Sequence, residues 1–168
     1  MVRVLIEKAV PADAAAMIEF FRQVGAESDN LSFGAEGLPI APEAEAEYIS
    51  GFQHSKDGVM LVARLQGRII GNASLNRLPR RMSHRGEVAV CVLKEFWNKG
   101  IGGMLMENII HFARENEFEL IELQVRSDNS AAIHLYEKYG FERLCRHPAF
   151  FKIGNDYIDF DVMRLKIR

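Results

Sequence analysis

Residues 90–103 of this 168-residue chain read VCVLKEFWNKGIGG, and this stretch decides the fold. It begins as an apolar strand, continues as a short loop and ends in a glycine-rich turn. Apolar residues then recur at helical spacing, which predicts a helix from Gly100 to about Asn116. They are Ile101, Met104, Leu105, Ile109 and Phe112. A strand that runs through a glycine turn into a helix is typical of an α/β domain.

The glycine turn predicts an anion site built from the main chain. The first N–H groups of a helix lack internal partners, and the helix dipole adds positive charge at the same end. The glycines leave room for a phosphate to approach these groups. The candidate contacts are Asn98, Lys99, Gly100, Ile101, Gly102 and Gly103.

Glycine alone leaves the ligand open, because a tight turn also needs small residues. A P-loop is excluded, since no Lys-Ser or Lys-Thr pair follows the glycines. The dinucleotide spacing is also absent, because position 105 is Leu where a third glycine is needed.

A second segment, residues 129–141, reads NSAAIHLYEKYGF and narrows the choice of ligand. Asn129 is a suitable N-cap for a helix over about 129–139, which Gly140 ends. With Gly100 and Gly102, this segment resembles the GNAT superfamily of N-acetyltransferases. The later GNAT motif is matched in full, at Asn129, Ala132, Tyr136, Gly140 and Phe141. In the earlier motif Trp97 stands where Arg or Gln is usual, and we interpret it as a core or rim aromatic.

The resemblance implies an α/β fold with a mixed central sheet of about seven strands and about four helices. It implies that acetyl-CoA is the co-substrate, with its pyrophosphate on the glycine turn. Main-chain groups of Val90, Cys91 and Val92 would contact the pantetheine arm. Asn129 would also contact the CoA arm. The expected activity is acetyl transfer to a primary amine, by direct attack with both substrates bound. We expect a small-molecule amine. A protein N-terminal or lysine acetyltransferase and a non-catalytic CoA-binding module are the alternatives.

Two catalytic residues follow from the resemblance. Tyr136 matches the position that protonates the departing thiolate, and a phenol is protonated at neutral pH. Glu87 is the first candidate for the general base, although it lies one residue out of phase with the family position, which falls on Gly86. A bulge could restore the phase. Gln124, at another family base position, cannot accept the proton. The remaining alternatives are Glu122, His84 and a water relay.

Composition and charge set further limits. The net charge of −2 gives no global attraction to nucleic acid or to anionic membranes. The basic run Arg77–Arg85 is interpreted as a solvated loop. Cys91 and Cys145 form no CxxC motif, so they are interpreted as core residues, and no metal is expected. With no signal peptide and no membrane-spanning run in the sequence, we expect a cytoplasmic protein.

The remaining pattern predicts a single domain over 1–168 with element order β-α-α-β-β-β-α-β-α-β-β. A strand is expected over Val2–Lys8, a helix to about Gln23 and a long loop over Gly25–Pro42. We expect that this loop, the second helix and the last hairpin enclose the acceptor. Acidic residues there are interpreted as solvated: Glu43, Glu45, Glu47 and Asp156. Exposed aromatics in the last hairpin permit a homodimer: Phe150, Phe151, Tyr157 and Phe160.

Overall fold

The computed structural model describes residues 3–168, which form one seven-stranded sheet with four α-helices. The strands are β1 Leu5–Lys8, β2 Gly58–Leu65, β3 Arg68–Arg77, β4 Arg85–Val92, β5 Leu120–Arg126, β6 Glu142–Ile153 and β7 Asp156–Lys166. The helices are α1 Ala14–Glu27, α2 Pro42–Ser50, α3 Ile101–Glu115 and α4 Ser130–Lys138. The predicted fold class and element order are confirmed.

The sheet has the order β1-β2-β3-β4-β5-β7-β6, and β4 and β5 are its parallel pair. These two strands pair only from Arg85–Leu120 to Glu87–Glu122. On the outer side, β4 continues to pair with β3 as far as Val92, and β5 continues to pair with β7. The middle of the sheet therefore opens after Glu87.

The helices cover opposite faces of the sheet. Gly71 on β3 lies against Ile101 and Leu105 of α3, so α3 packs directly on that face. Side chains alternate along a strand, so the neighbouring residue Asn72 points to the other face, as Asn76 does farther along β3. Gly58 lies beside Asn76 in the β2–β3 register and contacts Phe52, just beyond α2. The helices α1 and α2 thus cover the second face.

Helix α1 is longer than its sequence pattern predicts. The loop was expected to start at Gly25, but α1 continues to Glu27. A Cβ atom at position 25 would lie 2.1 Å from the carbonyl oxygen of Gly34. Gly25 therefore allows the following loop to cross the helix closely and does not end it. At the other end of the chain, Val2 of the predicted first strand lies outside the described residues.

The final hairpin differs from expectation in two respects. Cys145 is exposed, so its interpretation as a core residue is wrong, because β6 is an edge strand whose residues 142–149 are all exposed. The four aromatics were expected to be exposed, but Phe160 is buried, with its ring centroid 4.4 Å from that of Phe151 in a tilted arrangement. Phe150 packs on the same cluster, and of the four only Tyr157 is exposed.

The basic run Arg77–Arg85 was expected to be a solvated loop, but the arginines at its two ends are bound within the fold. Arg77 lies at the end of β3, where its guanidinium stacks 3.9 Å from the Phe118 ring centroid and binds Asp57. Arg85 binds the buried carboxylate of Glu122. The solvated-loop interpretation therefore holds for the exposed Arg80 and Arg81 and is wrong for Arg77 and Arg85. Within residues 3–168, no helix is both long and apolar enough to span a membrane.

Candidate active site

The opening between β4 and β5 is a cavity of about 630 Å³. Its walls are residues 88–92 of β4 and residues 123–126 of β5. Both segments have a strand edge that no neighbouring strand pairs across the gap. Such an edge offers N–H and C=O groups to an extended ligand, as in strand addition. Val90, Cys91 and Val92, the residues expected to contact the pantetheine arm, all line this cavity.

The glycine turn lies at one end of the cavity. Gly100 is the N-cap of α3 and has φ 80° and ψ 1°, a left-handed conformation that favours glycine. Asn98 is also left-handed, with φ 59°. A Cβ atom at Gly100 would contact nothing within 4 Å, so the space in front of the turn is open. The amides of Ile101, Gly102 and Gly103 begin the helix and have no intrahelical acceptor. An oxyanion group such as a pyrophosphate fits this cradle.

The other two glycines have a packing role that the sequence analysis did not predict. A Cβ atom at Gly102 would lie 3.1 Å from Leu135, and one at Gly103 would lie 2.9 Å from the Tyr139 hydroxyl. That hydroxyl donates to the Glu107 carboxylate at 2.9 Å and lies 3.2 Å from the carbonyl oxygen of Gly103, and both partners belong to α3. These two glycines therefore let α4 pack on the first turn of α3, which joins the two sequence motifs.

Trp97 secures the loop before the turn. Its indole Nε1–H donates to the carbonyl oxygen of Val92 at 2.8 Å, and its side chain is about two fifths exposed. It is therefore a rim aromatic. At the position where the family carries Arg or Gln, this chain has a residue that ties the loop to the end of β4.

Tyr136 and Cys91 lie together inside the cavity. Burial raises the pKa of the Tyr136 phenol to about 12, and the nearby Cys91 thiol adds to the shift. Burial likewise raises the pKa of the Cys91 thiol to about 12. Both groups are therefore neutral at pH 7, and Tyr136 holds a proton it can donate.

Asn129 caps α4 by accepting a hydrogen bond from the Ala132 amide at 3.3 Å, and it also lines the cavity. The turn before it is fixed from two sides. Ser127 donates to the buried Asp161 at 2.8 Å. Arg126 binds Asp128 and also donates to the Asp29 carbonyl oxygen at 3.3 Å, which ties the α1–α2 loop to this turn.

The candidate bases occupy distinct environments. The β3–β4 register has no shift, so no bulge brings Glu87 into the phase of the family position. That position, Gly86, cannot carry a side chain, because a Cβ atom there would lie 2.6 Å from the Phe118 ring. Glu87 is exposed and points to the α2 face, at the point where β4 separates from β5.

Glu122 is a poor base candidate. It is 5% exposed and is held by Arg85 and Arg164, with Arg164 Nε 2.7 Å from its Oε1. Burial alone would raise the pKa of Glu122, but the hydrogen bonds and charges of the two arginines lower it below its usual value. The carboxylate is therefore ionised and occupied. Of the other positions considered for the base, Gln124 lines the cavity. His84 lies at the other end of β4, where its main-chain carbonyl oxygen accepts a hydrogen bond from the Glu119 amide.

Three cavity residues have no signal in the sequence motifs. Glu27, at the end of α1, accepts a hydrogen bond from the Lys94 amide at 2.7 Å and so anchors the segment before the glycine turn. Lys138 adds positive charge to the wall, and Arg126, which is paired with Asp128, also lines it. Glu27 and Lys94 are far apart in the chain, so only the folded structure reveals their contact. Among residues 3–168 we find no cluster of three His, Cys, Asp or Glu side chains arranged to hold a metal.

Comparison with known proteins agrees with this geometry. The sequence model of the acetyltransferase (GNAT) family matches residues 14–141, about three quarters of the chain. The chain therefore belongs to the GNAT family of acetyltransferases. A crystal structure of a GNAT-family acetyltransferase from Streptococcus pneumoniae is 29% identical, with a TM-score of 0.94 over 99% of this chain and 100% of that one.

Other relatives carry more specific names. An L-amino acid N-acetyltransferase from Escherichia coli is 37% identical over 103 residues, 59% of this chain and 62% of that protein. An N-alpha-acetyltransferase from Mycobacterium tuberculosis is 33% identical over 93 residues, 55% of this chain and 57% of that protein. The matches thus span about three fifths of these relatives. An acetyltransferase from Salmonella typhimurium, solved with its cofactor acetyl-CoA, shares the fold at TM-score 0.85 and 22% identity over 98% of this chain and 94% of that one.

Proposed function

We propose that this protein transfers the acetyl group of acetyl-CoA to a primary amine of a small molecule, with both substrates bound together. The observation that carries the proposal is the opening between β4 and β5, which leads to the open glycine cradle at the start of α3. The cradle suits the pyrophosphate, and the two unpaired strand edges suit the pantetheine arm.

Acetyl-CoA supplies a thioester carbonyl that an amine can attack. Tyr136 has the role of general acid, since its phenol is protonated and lies inside the cavity with Cys91. As the carbon–sulfur bond breaks, the phenol gives its proton to the departing thiolate and later regains one from solvent. In this proposal one main-chain amide of the strand segment 90–92 polarises the thioester oxygen.

The acceptor ammonium must first lose a proton, because alkylamines are protonated near neutral pH. Glu87 has this role in the proposal, directly or through water, since it is exposed beside the start of the opening. Glu122 does not share the role, because two arginines hold its carboxylate.

The test is release of free CoA from acetyl-CoA, measured against amino acids, diamines, aromatic amines and N-terminal peptides. We expect turnover with at least one small amine. Turnover with peptides alone would replace the proposal by protein acetylation, which the relationship to an N-alpha-acetyltransferase favours. Tight CoA binding with no turnover on any amine would indicate a non-catalytic binding module.

We further propose that the chain acts as one cytoplasmic domain and as a homodimer. One continuous sheet supports a single domain. Two free cysteines suit a reducing compartment. The exposed β6 edge and Tyr157 provide a surface for a second copy. Gel filtration with light scattering tests the dimer, and a monomeric mass at micromolar concentration would overturn it.

A further inference from the structure

The two edges of the β4–β5 opening are joined by a segment from another part of the chain. In the described residues, β4 and β5 pair no farther than Glu87 and Glu122, so their own hydrogen bonds do not set the spacing beyond that point. Residues 27–29, where α1 ends and its loop begins, contact the ends of both strands. Ser28 and Asn30 line the cavity, so this segment runs along the opening.

Glu27 makes the contact on the β4 side. Its Oε2 atom accepts a hydrogen bond from the Lys94 amide at 2.7 Å, two residues beyond the end of β4 at Val92. Its Oε1 atom accepts from the Gln23 side chain at 3.0 Å, and the Gln23 oxygen accepts from Arg68 at 3.3 Å. Both carboxylate oxygens are therefore engaged, and the side chain is held in the direction of the strand end.

Arg126, the last residue of β5, makes the contact on the other side. Its Nη1 atom donates to the Asp29 carbonyl oxygen at 3.3 Å. Its Nε and Nη2 atoms bind the two carboxylate oxygens of Asp128 at 2.9 and 2.8 Å, which orients the guanidinium. Side chains alternate along a strand, so Arg126 lies on the same face of the sheet as Glu122.

The loop beyond this segment is packed against the helix that it leaves. The Phe33 ring lies edge-on to Phe21 of α1, with ring centroids 5.9 Å apart, and the Gly34 carbonyl lies against Gly25. Residues 27–29 are thus held by the strand ends on either side and by the packed loop that follows. A segment held in this way can fix the distance between the two strands that it contacts.

We propose that Glu27 and Arg126 are positioning residues, which hold residues 27–29 as a strap across the opening and so keep its edges at the spacing that the pantetheine arm needs. An arm lying between two strands needs edges about 9–10 Å apart, twice the usual strand spacing. Two residues of extended chain span about 7 Å, and the side chains of Glu27 and Arg126 supply the remaining reach. The inference rests on the proposed function, because the arm belongs to acetyl-CoA.

A double-mutant cycle tests whether the two residues act as one strap. The Kd for acetyl-CoA is measured by calorimetry for the wild type, Glu27→Ala, Arg126→Ala and the double variant. Each single change should weaken binding by about tenfold, since each removes a hydrogen bond of a charged group. The double variant should also lose only about tenfold, because a strap released at one end no longer holds the other. A loss of about a hundredfold in the double variant, or no loss in either single variant, would overturn the inference.

Further measurements separate this role from a general distortion of the fold. Glu27→Gln keeps a side-chain oxygen for the Lys94 amide, so it should recover the affinity that Glu27→Ala loses. Glu19→Ala, which removes an exposed carboxylate from the same helix, is the control and should bind acetyl-CoA as the wild type does. The part of CoA without the arm, 3′-phosphoadenosine 5′-diphosphate, should bind equally to the wild type and Arg126→Ala. Equal losses for this nucleotide and for acetyl-CoA would overturn the inference.

Hydrogen exchange of the free protein separates the inference from the proposed function, since it needs no turnover. Release of the Asp29 end by Arg126→Ala should speed exchange of the Lys94 amide, at the other end of the strap, by about tenfold. An unchanged rate at Lys94 would overturn the inference. A protein that shows this coupling and the expected cycle but acetylates no amine would keep the strap and lose the proposed function. Should Arg126→Ala fail to fold, Arg126→Lys takes its place, since it keeps a charge beside Asp128 and lacks the guanidinium fork.

Discussion

Replacing Tyr136 by Phe removes one hydroxyl from the cavity and leaves the ring that packs 5.8 Å from Phe141. Burial raises the phenol pKa to about 12, well above neutral pH, so the phenol is protonated at pH 7. Nearly every molecule therefore holds the proton that the thiolate needs. Loss of a general acid costs roughly 10²–10⁴ in rate, which is about 3–5 kcal/mol in activation free energy.

The assay is steady-state CoA release, with acetyl-CoA affinity measured by calorimetry. We expect kcat of Tyr136→Phe to fall by about 10²–10⁴ while affinity changes less than about twofold, because main-chain groups form the cradle. Ser83→Ala is the control, since it removes one hydroxyl from an exposed residue in the β3–β4 loop, and its kcat should equal that of the wild type. Normal kcat in Tyr136→Phe would refute the acid role, and an equal loss of affinity and rate would indicate a binding role.

Three further predictions concern the architecture of the site. Gly86→Ala places a Cβ atom 2.6 Å from the fully buried Phe118 ring, so unfolding in urea should show a loss of about 1–3 kcal/mol; an unchanged midpoint would contradict the close packing at this position. Trp97→Phe removes the hydrogen bond to the Val92 carbonyl oxygen. It should lower the free energy of unfolding by about 0.5–1.5 kcal/mol and weaken acetyl-CoA binding, and no change in either quantity would contradict the role of Trp97 in tying the loop to β4. Glu122 has a lowered pKa in the folded protein, so its contribution to stability is present above the ordinary Glu pKa and is lost as pH falls through the folded value. Acid unfolding of Glu122→Gln should therefore depend less steeply on pH than that of the wild type below about pH 5, and identical curves would refute this linkage.

Local pattern was sufficient to predict most of the elements. Alternating and helical periodicities located the strands and helices, and the two motifs placed Gly100 and Asn129 at helix starts, where both lie. The elements and helix starts depend on neighbours in the chain, which is why sequence alone reveals them. Cavity-lining positions such as Val90 and Tyr136 were implied by the resemblance to the GNAT family.

Features set by distant contacts were not predictable in this way. Gly25 looked like a helix end, yet it lies under the carbonyl of Gly34. Cys145 was interpreted as a core residue, yet it is exposed on an edge strand. Glu45 was interpreted as solvated because acidic residues usually are, and its burial results from how α2 packs on the sheet. In each case the fold decides the environment, and no local pattern encodes it.

In the proposed function, the amides at the start of α3 hold the pyrophosphate of acetyl-CoA. Amide NMR spectra recorded during a titration with acetyl-CoA test it most directly, with acetyl-pantetheine, which lacks the pyrophosphate, as the matched ligand. We predict saturable shifts of the Gly100, Ile101, Gly102 and Gly103 amides with acetyl-CoA and much smaller shifts with acetyl-pantetheine. If acetyl-CoA saturates the protein and the chemical shifts of these four amides do not change, the pyrophosphate does not bind at the start of α3.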